Sequence, residues 1–405
     1  MGETRDTAIL TINAGSSSIK LAVFGCEALT QPRLTALVQR IGTPEAAAEI
    51  RLPDGARETV TLDDGARLGA GPGTGAGHAT ALAALLPRLD AHVDVPIVAA
   101  GHRVVHGGER FRGPLAIDDT VLASLEELIP LARTHQRHCI AAIRAVARLR
   151  PEIPQIACFD TAFHATLPSE ARTFALPEPV RRAGVRRYGF HGLSYQWIAD
   201  VLPTVLGEQA EGRVIAAHLG NGASLCGLVG LESRATTMGF TPLDGLVMGE
   251  RPGLTDPGAL LFMLEEIGMG VEEVRETLLK RSGLLGLSGL SNDMRTLSAS
   301  AAVEARFALA VYVHRAVREI GAIAAEIGGV DALVFTGGVG ENAAAIRAEI
   351  VERLGFLGLR IDAARNAAPD RLISPDGEKP VLVLAANEEA VIARETDALL
   401  APRPA

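Results

Sequence analysis

A segment near the N-terminus, Ile9-Leu-Thr-Ile-Asn-Ala-Gly-Ser-Ser-Ser-Ile-Lys-Leu-Ala-Val23, returns in outline as Val214-Ile-Ala-Ala-His-Leu-Gly-Asn-Gly-Ala-Ser-Leu-Cys-Gly-Leu228. Each copy reads as a β-rich run, a turn of small residues carrying Gly and Ser, and a second β-rich run. Two such hairpins far apart in one chain point to duplicated halves; the competing reading is a chance likeness between hairpins. Length agrees with halves, because 405 residues with 48% apolar side chains can bury more than one core, at roughly 100 to 200 residues per domain.

Further short β-rich runs at 97–100, Gln155–Phe159, 332–335 and 381–384 alternate with helical patterns at 79–89, 121–148 and 298–327, which predicts an α/β chain. The last helix carries Val303, Phe307, Val311, Val317, Ile320, Ile323 and Ile327 nearly all round and meets Gly328-Gly329. It is expected in an interior, with a glycine C-cap and with His314 as a core histidine. Residues 51–77 are polar and glycine-rich and read as an exposed hairpin or loop. Their Gly71-Pro-Gly-Thr-Gly-Ala-Gly-His78 run lacks the Lys-Ser or Lys-Thr and the leading strand of a phosphate-binding loop.

Composition narrows the function classes. With 39 basic and 48 acidic residues the net charge is −9, which argues against a sequence-independent grip on nucleic acid or an anionic membrane. Any polyanion must be held locally. Cys26, Cys139, Cys158 and Cys226 form no C-x-x-C pair, so neither a zinc site nor a disulfide framework is expected, and a reducing cytoplasm fits best. No apolar run approaches the ~18 residues of a membrane span, and the first residues lack the features of a signal peptide. The 43 glycines exceed the usual share of about 7% and suggest tight turns against a ligand.

Several segments carry chemistry. Asn13-Ala-Gly-Ser-Ser-Ser-Ile-Lys20 offers backbone N–H groups, hydroxyls, an amide and an ammonium within one turn, suited to a phosphate or to nothing more than a hairpin. Strand alternation puts Lys20 on the face of Ser16 and Ser18. Gly101-His-Arg-Val-Val-His-Gly-Gly-Glu109 follows a strand, so Arg103 emerges where open α/β sheets bind ligands; its fork suits an anion, and the glycines oppose a helical two-histidine metal site. Asp160 ends the next strand as a helix cap or an organiser of Mg²⁺. His191 and Arg251 each stand among glycines, as solvated loop residues or as side chains reaching a reacting centre. Gly-rich turns at 218–222 and 335–342, the segment Asn292-Asp-Met-Arg295, and the late acidic pair in Asn387-Glu-Glu389 complete the set.

Read together, these segments resemble the acetate kinase family. Besides those already quoted, Phe159-Asp-Thr-Ala-Phe-His164, Arg187-Tyr-Gly-Phe-His-Gly192, Met238-Gly-Phe-Thr-Pro-Leu-Asp-Gly-Leu-Val-Met-Gly249 and Phe335-Thr-Gly-Gly-Val-Gly-Glu-Asn342 fall in order, and the likeness spans nearly the whole chain. It implies an α/β fold of two ribonuclease-H-like halves, shared with sugar kinases, actin and chaperone ATPases, and a homodimer. The halves are expected at 1–160 with 386–405 and at 161–385.

The resemblance implies the reaction of ATP with acetate to give ADP and acetyl phosphate, by in-line transfer with Mg²⁺, or Mn²⁺, as cofactor. Propionate or butyrate kinase, or more distantly an actin-like nucleotide switch, are the alternatives. Neither nucleic acid nor membrane is an implied partner. The metal site falls on Asn13 and Glu388. Catalysis falls on Arg103, His135, Asp160, His191 and Arg251. The acyl pocket falls on Arg103, Val105, Thr134, Phe190 and Pro242. Nucleotide contacts fall on Ser16, Ser18, Lys20, His218, Leu219, Gly220, Asn221, Gly222, Asp293, Met294, Arg295, Gly338, Val339, Gly340, Glu341 and Asn342. Three departures stand out: Thr134-His-Gln-Arg137 replaces Leu-His-Asn-Pro, Ala235 replaces an Asp, and Tyr195 stands where the family has His.

Overall fold

The computed structural model describes residues 6–62, 76–133, 135–368 and 370–400. These fall into two compact units, one within Met1–Phe163 and Asn387–Ala405, the other within His164–Ala386.

In the first unit β1 (Ala8–Ala14), β2 (Ser18–Gly25), β3 (Leu34–Gln39), β4 (Ala47–Arg51) and β5 (Arg57–Val60) form an antiparallel meander, while β6 (Ile97–Val104) and β8 (Gln155–Phe159) run parallel to β1. The two-residue β7 (Leu115–Ala116) closes the order β5-β4-β3-β2-β1-β6-β8-β7. Strands covered on both faces read as unbroken apolar runs, and every residue of β1 is buried. On one face α1 (Ala76–Ala91) contributes Leu82, Leu85 and Leu89, and α3 (Gln136–Leu149) contributes Ala142 and Val146. α10 (Glu388–Leu400) packs against β1, β6 and β8. Its approach explains Gly101, where a Cβ would sit 2.3 Å from Thr396 Oγ1.

In the second unit β9 (Arg213–Leu219), β10 (Ala223–Val229) and β11 (Glu232–Thr236) are antiparallel, and β12 (Ala332–Thr336) and β13 (Val381–Val383) continue in parallel, giving the order β11-β10-β9-β12-β13. This repeats β3-β2-β1-β6-β8. The two echoed segments are the hairpins β1–β2 and β9–β10, and the duplicated ribonuclease-H-like architecture expected from the sequence is what both sheets carry.

Two expectations are corrected. The helical pattern at 121–148 is broken into α2 (Asp119–Glu127) and α3 by a short turn at Ile129–Leu131, because Pro130 lacks the N–H a continuing helix needs. The pattern at 298–327 becomes α6 (Met294–Ala299) and α7 (Val303–Glu326). α7 ends as expected, with Gly328 and Gly329 at positive φ and the Gly329 N–H donating to Ala324 O. It buries one stripe (Ala305, Ala308, Tyr312, Ala316, Ile320, Ile323) rather than its whole surface, so His314 is exposed, as are Val303 and Phe307. Of residues 51–77, read as an exposed hairpin or loop, the start closes the β4–β5 hairpin, whose Ala48, Ile50 and Val60 alternate into the core. Residues 63–75, with most of the glycine run before His78, lie outside the described residues.

All four cysteines are free. Among the described residues no helix is long and apolar enough to cross a membrane.

Candidate active site

Because β1, β6 and β8 are parallel neighbours, their carboxyl ends meet at one edge of the first sheet. Asn13 near the end of β1, Arg103 near the end of β6 and Asp160 just past β8 therefore converge, and Glu388 opens α10 beside them. Lys20 pairs directly with Asn13 across β1–β2, which sets the two on one face. Arg103 donates from Nε and Nη2 to Asp160 Oδ2 at 3.1 and 2.5 Å, and from Nη1 to Asn13 Oδ1 at 3.1 Å. The Asn13 Nδ2 in turn donates to Glu388 Oε2 at 3.5 Å.

Asp160 is 1% exposed, so its carboxylate needs the arginine. Burial disfavours the Arg103 charge, and Asp160 outweighs it. One guanidinium thus faces two carboxylates. Desolvation, with the Asp160 charge adding to it and Arg103 opposing, pushes the Glu388 carboxyl up to about 7. A guanidinium has five N–H donors, and Arg103 commits three to Asp160 and Asn13, leaving two for a ligand.

The β1–β2 turn is closed by Gly15 N–H donating to Ser18 O at 2.8 Å. His78 Nε2 donates to Gly15 O at 2.7 Å from the start of α1, and its ring stacks on His138 of α3 at 4.7 Å. His78 belongs to a run that sequence reasoning set aside as surface loop. His135 stands at the N-cap position of α3. Its neighbour Gln136, fully buried, accepts from His106 N at 3.2 Å and donates to His106 O at 3.1 Å, tying the loop after β6 to α3. Val105 is buried in that loop. Thr134, assigned to the acyl pocket, lies outside the described residues.

In the second unit His191 sits in the left-handed region, φ 58°, as the residue before α4 (Gly192–Leu206). Strain of that kind in a non-glycine residue clusters at functional sites. The loop before it is held by His164, whose Nε2 donates to Phe190 O at 3.0 Å while Nδ1 accepts from Ser233 Oγ at 2.8 Å. Gly189, φ 77°, is required here: a Cβ would lie 2.5 Å from the His164 ring.

At Gly222, in the β9–β10 turn, a Cβ would lie 2.8 Å from Arg251 Nη2 and 3.2 Å from His191 Nε2. The two side chains therefore converge on this backbone. Arg251 donates from Nη1 to Pro242 O at 2.8 Å. Burial pushes its pKa down to about 10, with Glu250 opposing, so it stays cationic at neutral pH. The His191 and His218 rings stack at 4.3 Å.

Beside this turn lies a cavity of about 720 Å³ lined by Gly220, Asn221, Asp293, Met294, Arg295, Gly338, Val339 and Asn342, with Leu284, Asn292, Ser298 and Ala343. The first eight were all assigned to nucleotide from sequence. Asp293 also caps α6, accepting from Arg295 N and Thr296 N, and its ion pair with Arg295 holds it down to about 2. Leu219, Gly340 and Glu341, assigned to the nucleotide as well, do not line this cavity. Leu219 O backs Gly337, Gly340 O accepts from Arg347, and Glu341 Oε1 accepts from Ala386 N.

Sequence reasoning missed four supporting groups: His78, Gln136, His164 and the hydroxyls of Ser194, Tyr195 and Ser224. A signal existed for Ser194 and Tyr195, which follow His191 at the spacing of one helical turn. None existed for Ser224, whose partners lie on another element.

A profile of the acetokinase family matches residues 8–394. An acetate kinase of Rhodopseudomonas palustris is 45% identical over 391 residues, covering 95% of this chain and 96% of that one. One of Methylocella silvestris is 44% identical, covering 97% and 98%. Among solved structures, a propionate kinase from Francisella tularensis superposes with a TM-score of 0.89 at 36% identity, covering 97% of this chain and 99% of that one. Porphyromonas gingivalis acetate kinase gives 0.86 at 34%, covering 98% and 100%.

Proposed function

Because the chain belongs to the acetokinase family, we propose that it transfers the γ-phosphoryl group of ATP directly to the carboxylate of acetate, giving acetyl phosphate and ADP. The observation that carries this is the convergence of Arg251 and His191 on Gly222, next to the 720 Å³ cavity. A carboxylate acceptor is already ionised at pH 7, its pKa being ~4, so no general base is required. The task is to offset repulsion between anions and to meet charge on the equatorial oxygens.

In this reading the cavity takes the nucleotide, the glycine turns at 220–222 and 338 lie along its phosphates, and Arg251 and His191 donate to the transferring group. The first unit takes the acid: Arg103 offers its two remaining N–H donors to the carboxylate while Asp160 holds the guanidinium in place. Val105 bounds the acyl chain, His135 flanks it, and Ser16, Ser18 and Lys20 serve phosphate oxygens.

Mg²⁺ or Mn²⁺ fits the same edge. Among the described residues no three acidic, histidine or cysteine groups cluster as a metal cage, but Mg²⁺ is commonly held by one or two carboxylates with phosphate oxygens and water completing the shell. Glu388, Asp160 and the Asn13 amide oxygen supply that kind of donor set. When bound, the ion would neutralise phosphate charge. The Asn13 oxygen now faces Arg103, so ligation would require the amide to share or turn.

We further infer a homodimer in the cytoplasm. Leu261, Phe262, Ile267, Val271, Val303 and Phe307 are 54% to 66% exposed, and a second copy covering them would take that apolar surface out of water. A sedimentation mass of one chain would remove the dimer.

The deciding assay measures ADP release from ATP with acetate, propionate, butyrate or no acid, with hydroxylamine trapping the acyl phosphate and a chelator arm for the metal. We expect acetate-dependent ADP and trapped acetyl hydroxamate, abolished by chelation. Equal ADP release without acid would identify a nucleotide switch instead, and a higher kcat/KM for propionate would transfer the assignment to that acid.

A further inference from the structure

Tyr195 is completely buried in the first turn of α4, and its phenol oxygen lies 2.5 Å from Ser224 Oγ on β10. The same Ser224 oxygen lies 2.9 Å from His191 Nδ1. A second, parallel arm joins Ser194 Oγ to His218 Nδ1 at 2.8 Å. Both stacked imidazoles are thus anchored at Nδ1 by a serine hydroxyl, and both present Nε2 to the β9–β10 turn. His191 Nε2 is 3.2 Å from where a Gly222 Cβ would lie, and His218 Nε2 is 3.8 Å from the Gly220 position.

The phenol sets the direction of the first arm. A phenol has one proton to give, as has a serine hydroxyl. Burial raises the Tyr195 phenol well above its ordinary range, so it keeps its proton, and the backbone of His218 also hydrogen-bonds it. With Tyr195 donating to Ser224, the serine proton is directed to His191 Nδ1. An imidazole that accepts at Nδ1 is neutral and carries its hydrogen on Nε2.

We propose that Tyr195 is a positioning residue which, through Ser224, holds His191 in the tautomer protonated on Nε2, so that it presents a neutral N–H donor beside Arg251 to the transferring phosphoryl group. The use made of that donor rests on the proposed phosphoryl transfer; the tautomer does not. The arrangement also gives a reason for tyrosine at a position where the family has histidine: a phenol this deeply buried donates at any working pH, whereas an imidazole there can reverse the chain.

The test is ¹⁵N NMR of histidine-labelled protein without substrate between pH 6.5 and 8, the His191 signals being those lost in His191→Gln. We expect a protonated Nε2 and an unprotonated Nδ1 in the parent, and a mixed population in Tyr195→Phe. In the acetate assay Tyr195→Phe and Ser224→Ala should each lower kcat about 10-fold with KM for acetate and ATP within about two-fold. The double variant should be no worse than Ser224→Ala alone, because both act through one hydrogen-bonded chain. A parent His191 protonated on Nδ1 overturns the proposal, as do losses that multiply in the double variant. A protein with the expected tautomer but no acetate-dependent turnover would instead refute the reading of its function.

Discussion

Arg251 and Arg103 are both cationic and both half-buried, yet they are held differently. Arg103 is locked to Asp160 through its side edge, whereas Arg251 has a backbone carbonyl as partner and converges with His191 on a glycine. A guanidinium with no paired carboxylate keeps its charge for a ligand, and one that meets charge only as it develops acts on turnover rather than binding. Arg251→Ala is therefore expected to lower kcat about 100-fold, on the order of 3 kcal/mol, with a much smaller rise in KM for acetate. Steady-state kinetics checks this, and unchanged kcat would remove Arg251 from the transfer step. Charged residues set among glycines were readable as candidates from sequence. The Arg103–Asp160 pairing was not, because it joins strands more than fifty positions apart.

At the scale of elements, the site depends on turns whose backbone leaves no room. Gly337 begins the helix Gly337–Asn342 at φ 77°, and a Cβ there would lie 2.8 Å from Leu219 O, so the turn after β12 sits directly against β9. Gly337→Ala combines a left-handed penalty of roughly 1–2 kcal/mol with a backbone clash that no rotamer relieves. We expect a loss of about 2 kcal/mol or more, read as a lower Tm, together with a raised KM for ATP because Gly338 and Val339 line the cavity. A variant that melts and binds ATP like the parent would show that the turn can move aside. The glycines were visible in the sequence. Their reason was not, since it lies in the distance to another strand.

For the molecule as a whole, buried imidazoles set the response to acid. Burial holds His102, His106 and His164 down at about 4, and His78 and His138 move in the same direction. In the unfolded chain they titrate near ~6.5. Below that pH the unfolded state takes up protons that the folded state refuses, so stability is full above 6.5 and falls as pH drops toward 4. At pH 5 each of His102, His106 and His164 should cost on the order of 1–2 kcal/mol. Four of the five lie in the first unit, which should melt first on acidification. Calorimetry from pH 8 to 5 checks this, and a constant Tm over that range would show that these groups are free to protonate in the folded state.

By itself the sequence determined the α/β class, the duplicated hairpin and the set of side chains able to do chemistry, because hydrophobic period, glycine placement and residue type are local properties of the chain. It placed eight of the cavity residues by motif, yet it misjudged His314 and the helix around it, because a count of apolar residues does not say which face a neighbour covers. The tertiary structure alone decided that Asp160 occupies the fork of Arg103 and that a tyrosine hydroxyl on a helix reaches a histidine through a serine on a strand. Hydrogen-bond geometry and desolvation depend on distances between elements, and those exist only once the sheets have formed.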